Sequence, residues 1–465
     1  MVNKIYRPEI DGLRAVAVLA VIFYHAELSI KNFISFKGGF IGVDIFFVIS
    51  GYLITSIILH ELSFKKKFSF KYFYERRIRR ILPVLTLIII TSIPFAWFLL
   101  LPNSFVDFAK SIIYSLGFVS NFYFWLTGKR YGAESESLKP FLHTWSLSVE
   151  EQFYIIFPII LIIVIKFLRK YLIHFLILAI CISLFLAQWG SKNFLSASFY
   201  LFPTRIWEII FGSLLASYEF KLKGRSKMLI PNLIFPSIGL LMILYSIINF
   251  NDEMYHPSLY TLLPITGVCL IIWFSDKKEP VTKILSSKLF VGTGLISYSL
   301  YLWHYPIFAF VRTRYDGLLL YPFLLIAITF ILSIFSFYLV EKPSRNKKYK
   351  FKNIFFTLII SLAIILTICF LIIKNDGYKN RFPKIFQNEI ETKILRSEKN
   401  FSQCVNTICT FNESSNKKVF IIGDSTLLPL LIGLKEKVID NDYQFTTSIK
   451  LGCLYLPGFD KINLK

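Results

Sequence analysis

Apolar runs of bilayer length recur along this chain as far as Ile373, and that recurrence restricts the fold more than any other feature. A bilayer core takes about 20 helical residues. We read eleven such stretches: 10–28, 40–59, 82–101, 141–165, 171–188, 203–217, 229–248, 258–274, 290–311, 321–340 and 354–373. The hydrophobic fraction of 55% agrees, since globular chains average about 45–50%. The first run is followed by FISFKGGFIG rather than a small-residue cleavage site, so it is expected to stay in the mature chain. The expected class is a polytopic α-helical membrane protein of about eleven transmembrane helices.

A net charge of +23 would suit a nucleic-acid binder, but its distribution argues for the bilayer as partner instead. Cations gather in alternate connections: 60–81, 166–170, 218–228, 275–289 and 341–353, whereas 249–257 has none. This is the positive-inside pattern. It predicts a cytoplasmic N-terminus and, after an odd number of spans, a C-terminal segment outside. Residues 104–126 are apolar enough to resemble a further span, but counting it would place the basic connections 60–81 and 166–170 on opposite faces. Asp107, Lys110, Ser111, Tyr114 and Ser115 leave a polar stripe there, so an interfacial or re-entrant helix is expected on the outer side.

Polar residues inside apolar spans mark function by default. Arg14 and His25 lie eleven residues apart, which is about 16 Å along a helix and roughly 20° from a common face. The plainer reading is an Arg snorkelling to the interface and a His satisfied by a carbonyl. Asp44, in GGFIGVDIFFVISGYLITS, falls near the outer end of the second span, among glycines that favour close helix packing. YFYERRIRRILP carries Arg76, Arg77, Arg79 and Arg80 as two overlapping R-x-x-R pairs. Such a run serves either as an anchor on anionic lipid or as a grip on polyphosphate. In HTWSLSVEEQFY, Glu150 and Glu151 point about 100° apart, so at most one need face the interior. His304, in SYSLYLWHYPIF, is flanked by Tyr301 and Trp303, either as a functional base or as part of an aromatic belt. No metal-binding pattern is read.

Taken together, these motifs resemble the acyltransferase 3 family, the multi-span enzymes that O-acetylate bacterial surface glycans. The resemblance covers roughly residues 4–345. It implies acetyl-CoA as a cytoplasmic donor substrate, no permanently bound cofactor, and an acceptor glycan or lipid-linked oligosaccharide outside a bacterial cytoplasmic (inner) membrane. O-antigen lipopolysaccharide is the first expectation for the acceptor, with capsule or peptidoglycan as alternatives. Arg76, Arg77, Arg79, Arg80 and Arg14 are the expected donor-binding residues. His25 is the expected general base, since imidazole accepts a hydroxyl proton near neutral pH; Arg14, Asp44, Glu150 and His304 complete the catalytic set. A transporter or flippase with Arg, His and Glu along its path is the alternative, although it explains neither the R-x-x-R stretch nor the tail.

That tail begins where the apolar runs end. We divide the chain into an acyltransferase domain (1–345), a last helix and linker (346–378) and a partial α/β domain outside the membrane (379–465). VFIIGDSTLLPLLIGL looks like the nucleophile block of the SGNH superfamily, with Ser425 at a strand-to-helix turn. Thr426 follows where that block often has His, and no histidine occurs after His304. The triad is therefore incomplete, the domain looks cut short, and independent esterase activity is not expected. His256, in an outer loop, is the remote substitute for the missing base. Cys404, Cys409 and Cys453 lie where an oxidising compartment permits a disulfide.

Overall fold

In the computed structural model, residues 6–30, 34–128, 135–315, 321–382, 408–412, 415, 417–423 and 443–449 are described. The chain divides into two units, Met1–Gly377 and Tyr378–Lys465. The first unit is helical. Its helices are α1 (Pro8–His25), α2 (Gly42–Lys65), α3 (Phe70–Leu99), α4 (Pro102–Leu116), α5 (Ser120–Gly128), α6 (Thr144–Leu168), α7 (Leu172–Asn193), α8 (Leu195–Tyr200) and α9 (Phe202–Leu222). They continue as α10 (Leu229–Asn249), α11 (Leu262–Phe274), α12 (Pro280–Leu285), α13 (Lys288–Leu295), α14 (Ser297–Arg314), α15 (Pro322–Ser336), α16 (Lys342–Arg345) and α17 (Phe351–Lys374). A short antiparallel ribbon, β1 (Ser29–Ile30) with β2 (Ile34–Ser35), follows α1.

Among the described residues, six stretches are long and apolar enough to cross a membrane: Lys37–Lys65, Phe70–Leu99, Thr144–Asn193, Leu229–Asn249, Pro322–Arg345 and Phe351–Lys374. The third of these contains both α6 and α7, joined through a 3-10 turn at Arg169–Tyr171. The other expected stretches are helical but fall short of that standard for definite reasons. In α1 the charges Glu9, Asp11 and Arg14 crowd the first two turns. Helix α9 carries Arg205, Glu208 and Glu219, and α11 is only 13 residues long. The expected span 290–311 is broken at Ile296, just after the glycines of VGTGL, which weaken a helix.

Segment 104–126 also differs from expectation. It forms two helices, α4 and α5, parted by Gly117 and by Phe118 in the left-handed region at φ 53°. Ser111 and Ser115 from the predicted polar stripe are buried, and Ser115 Oγ lies 2.8 Å from Thr144 Oγ1. Two of the five residues of that stripe therefore face protein.

The core follows from small residues on the inner helices. Helix α1 buries Leu13, Ala15, Ala17, Val18, Val21 and Ile22, and it packs on α2, α12, α13 and α14. Helices α2 and α9 make the most extensive pairing. A Cβ on Gly51 would collide with the carbonyl of Ile209, and one on Gly212 with that of Val48. Glycine at both positions lets the two backbones touch, as the glycine-rich second span foretold. On α6, Ile155, Ile156, Ile159, Ile160 and Ile163 stay exposed while Trp145, Val149, Phe153 and Phe157 are buried. An apolar outer face of this kind suits a lipid surround.

The second unit contains a three-stranded sheet of β3 (Ile408–Phe411), β4 (Lys417–Gly423) and β5 (Tyr443–Ile449), in the order β3-β5-β4. Strand β5 is antiparallel to β3 and parallel to β4, with Val419 opposite Phe445. Parallel neighbours need a crossover connection, as in a βαβ unit. The strand expected at VFIIG is thus present. Ser425, Cys404 and Cys453 lie outside the described residues, and Cys409 is disulfide-bonded.

Candidate active site

Helices α1, α2, α3, α6 and α14 line a cavity of about 160 Å³ that opens to the protein surface. Arg14, Arg77 and Arg80 stand along its lining together with Ser50, Glu150, Tyr154 and Tyr298, and Ser146 and Tyr301 join it to a group of histidines. The apolar walls are Val43, Phe46, Phe47, Leu53, Ile57, Ile81 and Leu147. Three arginine side chains and a set of apolar walls thus share one lining, a combination chemically suited to an anion with a weakly polar arm.

The arginine stretch does not act as one face. Helix α3 starts at Phe70, capped by Ser69, whose Oγ accepts from the Tyr72 N–H at 3.3 Å. All four arginines are therefore already helical, and their positions diverge around the axis. Arg77 and Arg80 line the cavity. Arg79 is buried: it pairs with Glu75 at 2.9 Å and donates to the carbonyls of Ser344 (3.2 Å) and Tyr349 (3.1 Å). Arg76 lies over the Tyr72 ring, 4.5 Å from its centroid. Of the four arginines expected to bind the donor, Arg77 and Arg80 line this cavity and Arg76 and Arg79 do not. One R-x-x-R pair serves the cavity and the other does not, because adjacent helical residues point about 100° apart.

Glu150 also lines the cavity, accepting from Ser50 Oγ at 2.8 Å and from the Tyr154 hydroxyl at 3.3 Å. Its neighbour Glu151 is buried and does not line it. Arg14 donates to Asp11 at 2.8 Å across one turn of α1, so its charge is partly balanced.

The histidines meet where α1 ends. The rings of His25 and His304 lie 5.2 Å apart, and His143 is 5.6 Å from His304. Tyr305 packs on His25 at 4.9 Å and on His143 at 5.3 Å. The Tyr301 hydroxyl donates to the His143 carbonyl at 2.8 Å and lies 2.6 Å from Ser146 Oγ. His25 Nδ1 is 2.9 Å from the Val21 carbonyl and His304 Nδ1 is 2.6 Å from that of Tyr301. A carbonyl only accepts, so these contacts favour the tautomer with Nδ1–H, which leaves Nε2 free as a base. The His304 Nε2 and both ring nitrogens of His143 are buried without a hydrogen-bond partner. Such atoms are costly to retain unless a substrate or water engages them.

Asp44 lies elsewhere. It is fully buried and accepts from Arg205 at 2.8 Å; Glu208 is 3.1 Å from the same guanidinium, and His256 Nε2 is 3.6 Å from Asp44. The rings of Phe47, Trp145 and Phe199 surround Arg205. Among the described contacts Asp44 thus joins α2 to α9 instead of meeting His25. His256, the remote substitute base for the tail, is buried in this same cluster, 2.9 Å from Arg205 Nη1.

His143, Tyr305, Arg205 and Glu208 were not among the expected site residues. His143 had a readable signal, as a polar residue opening the HTWSLSVEEQFY span. Arg205 and Glu208 had one too, as charges at i, i+3 spacing inside an apolar helix. Tyr305 had none, since an aromatic beside a histidine is ordinary near a bilayer surface.

Residues 7–342 match the family described as an acyltransferase domain. A provisionally named O-acetyltransferase of Staphylococcus aureus strain MRSA252 is 30% identical over 93% of this chain and 76% of its own length. The O-acetyltransferase OatA of S. aureus strain NCTC 8325 is 30% identical over 75% of this chain and 59% of its own. No solved structure matches.

Proposed function

The chain belongs to the acyltransferase family, and on that premise we propose that it is a membrane O-acetyltransferase that takes acetyl from acetyl-CoA and esterifies a hydroxyl of a surface glycan. The observation that carries this reading is a single cavity with Arg14, Arg77 and Arg80 along it and Ser146 and Tyr301 next to the histidines. Guanidinium forks suit the pyrophosphate of CoA. The apolar walls suit its pantetheine arm, whose thioester would then reach the histidines. Arg14 and His25 are eleven residues apart in α1, so the arm spans about 16 Å.

In the transfer, His25 Nε2 removes the proton of an acceptor hydroxyl, whose oxygen attacks the thioester carbonyl carbon. A C–O bond forms and the C–S bond breaks. The proton passes to the departing sulfur, giving the ester and free CoA. His304 orients His25 or shares its proton, and Glu150 tightens the cavity through Ser50 and Tyr154.

Eleven transmembrane helices, a cytoplasmic N-terminus and a bacterial cytoplasmic membrane belong to this proposal, as does the division into 1–345, 346–378 and 379–465. The positive-inside charge pattern supports them. The tail is proposed as an SGNH-like acceptor-side domain, supported by strand β4, which ends just before Asp424 and Ser425 and pairs in parallel with β5. The acceptor is proposed as a polysaccharide, with O-antigen first and peptidoglycan or capsule as the other outcomes.

The test reconstitutes the full chain in nanodiscs with acetyl-CoA and each of these glycans, reading free thiol release and ester formation. Stoichiometric thiol and ester with one glycan is the expected result. Thiol release without any ester, or no consumption of acetyl-CoA, rejects the reading.

A further inference from the structure

Beside the cavity, three cations surround one tyrosine. Around the Tyr72 ring at the start of α3 stand Arg76 (4.5 Å from the centroid), Lys347 (5.0 Å) and Lys65 (5.8 Å). Lys65 has a carboxylate partner, Glu61 at 3.0 Å. Among the described contacts Arg76 and Lys347 have none, so two cations without a carboxylate partner stand against one aromatic ring. The arrangement is built from two distant parts of the chain. Lys347 sits in the turn after α16, and buried Arg79 pins that turn to α3 through the carbonyls of Ser344 and Tyr349. The Tyr349 N–H donates to the Asn346 carbonyl at 3.3 Å, closing the turn.

Resting on the acetyl-CoA reading above, we propose that Arg76, Lys347 and Lys65 form a second anion site that receives the 3′-phosphate of CoA, separate from the pyrophosphate grip of Arg77 and Arg80. Two observations favour a phosphomonoester over the phosphodiester of a lipid headgroup. A phosphomonoester carries close to two negative charges at neutral pH, matching two unneutralised cations, whereas a phosphodiester carries one. Position also fits: Arg76 precedes the cavity residues along α3 but stands outside the lining, so this cluster would take a group that projects from the cavity beyond the pyrophosphate.

The experiment compares CoA with dephospho-CoA, which lacks only the 3′-phosphate. Both bind to the full-length protein in nanodiscs of neutral lipid and, in parallel, of phosphatidylglycerol, for the wild type, Arg76→Gln, Lys347→Gln and Arg77→Gln. The wild type should prefer CoA by about tenfold or more, as a charge-assisted contact warrants. Arg76→Gln and Lys347→Gln should erase that preference while dephospho-CoA binds as before, and Arg77→Gln should weaken both ligands equally. Adenosine 3′,5′-bisphosphate should compete with CoA in the wild type and lose potency in Lys347→Gln. If the wild type binds CoA and dephospho-CoA equally, the 3′-phosphate site is rejected while the acetyl-CoA reading stands. A preference that Arg76→Gln and Lys347→Gln leave intact rejects it too. If these variants change only the dependence on phosphatidylglycerol, the cluster is a lipid anchor and the proposal falls. Failure to bind either nucleotide overturns the donor reading itself.

Discussion

At the scale of single residues, neighbours in sequence divide their work. Arg77 and Arg80 line the cavity while Arg79, between them, ties α3 to the 344–349 turn. Replacing Arg77 and Arg80 together with Gln should raise KM for acetyl-CoA at least about tenfold, the loss of one or two charge-assisted contacts. The thermal midpoint should hardly move. Arg79→Gln should do the reverse, lowering the midpoint by several degrees as two carbonyls and Glu75 lose their partner, with donor KM nearly unchanged. Steady-state kinetics beside thermal unfolding in detergent separates the two patterns, and a shared pattern would return all four arginines to a lipid-anchor role. His25→Ala is the second residue-level test. Loss of a general base costs about 10²–10⁴ in rate, and His25 is only half-buried with one backbone contact. Transfer should collapse at normal abundance. Near-normal acetylation would remove His25 from the mechanism.

At the scale of elements, the pairing of α2 with α9 is the stiff part of the fold, and it depends on Gly51, Gly212 and the Asp44–Arg205 ion pair. Breaking a buried pair by deleting one partner costs about 3–5 kcal/mol. Asp44→Ala and Arg205→Ala should each give a markedly less stable protein, whereas the apolar triple replacement Asp44→Leu, Arg205→Met and Glu208→Leu should recover much of the loss, because Glu208 shares the same guanidinium. Recovery measured as thermal midpoint assigns Asp44 to architecture; if the triple variant is stable but inactive, this cluster has a catalytic share after all. The glycines were legible in the sequence, because close helix contact is one of the few things a glycine run inside a span can do. The partner of Asp44 was not, since pairing across 161 residues depends on how helices are arranged, which periodicity does not encode. The break at Ile296 and the split of 104–126 were missed for a related reason. A sliding apolar window registers composition and is blind to the backbone turn at Phe118 or the weak helix at VGTGL.

For the whole molecule, composition alone carried the class: apolar runs predicted a helical membrane protein, and the helices lie where those runs are. The spacing of polar groups along a helix was legible too, because residue number within a helix translates into distance along its axis. What sequence could not supply was convergence, the meeting of α1, α6 and α14 that brings His25, His143 and His304 together. That convergence makes a directional prediction. The arginines that line the cavity belong to the cation-rich side by the positive-inside pattern, and the histidines lie at the far end of α1. On the proposed function, the donor should then arrive from one compartment and the acceptor from the other. In proteoliposomes sorted by orientation, with acetyl-CoA outside and glycan trapped inside, vesicles exposing the arginine-rich loops should acetylate the trapped glycan. Oppositely oriented vesicles should not. Adding glycan to the acetyl-CoA side of the active vesicles should yield little ester. Equal acetylation on both sides would mean that donor and acceptor share an entrance, and the cavity would then be a binding pocket rather than a passage across the membrane.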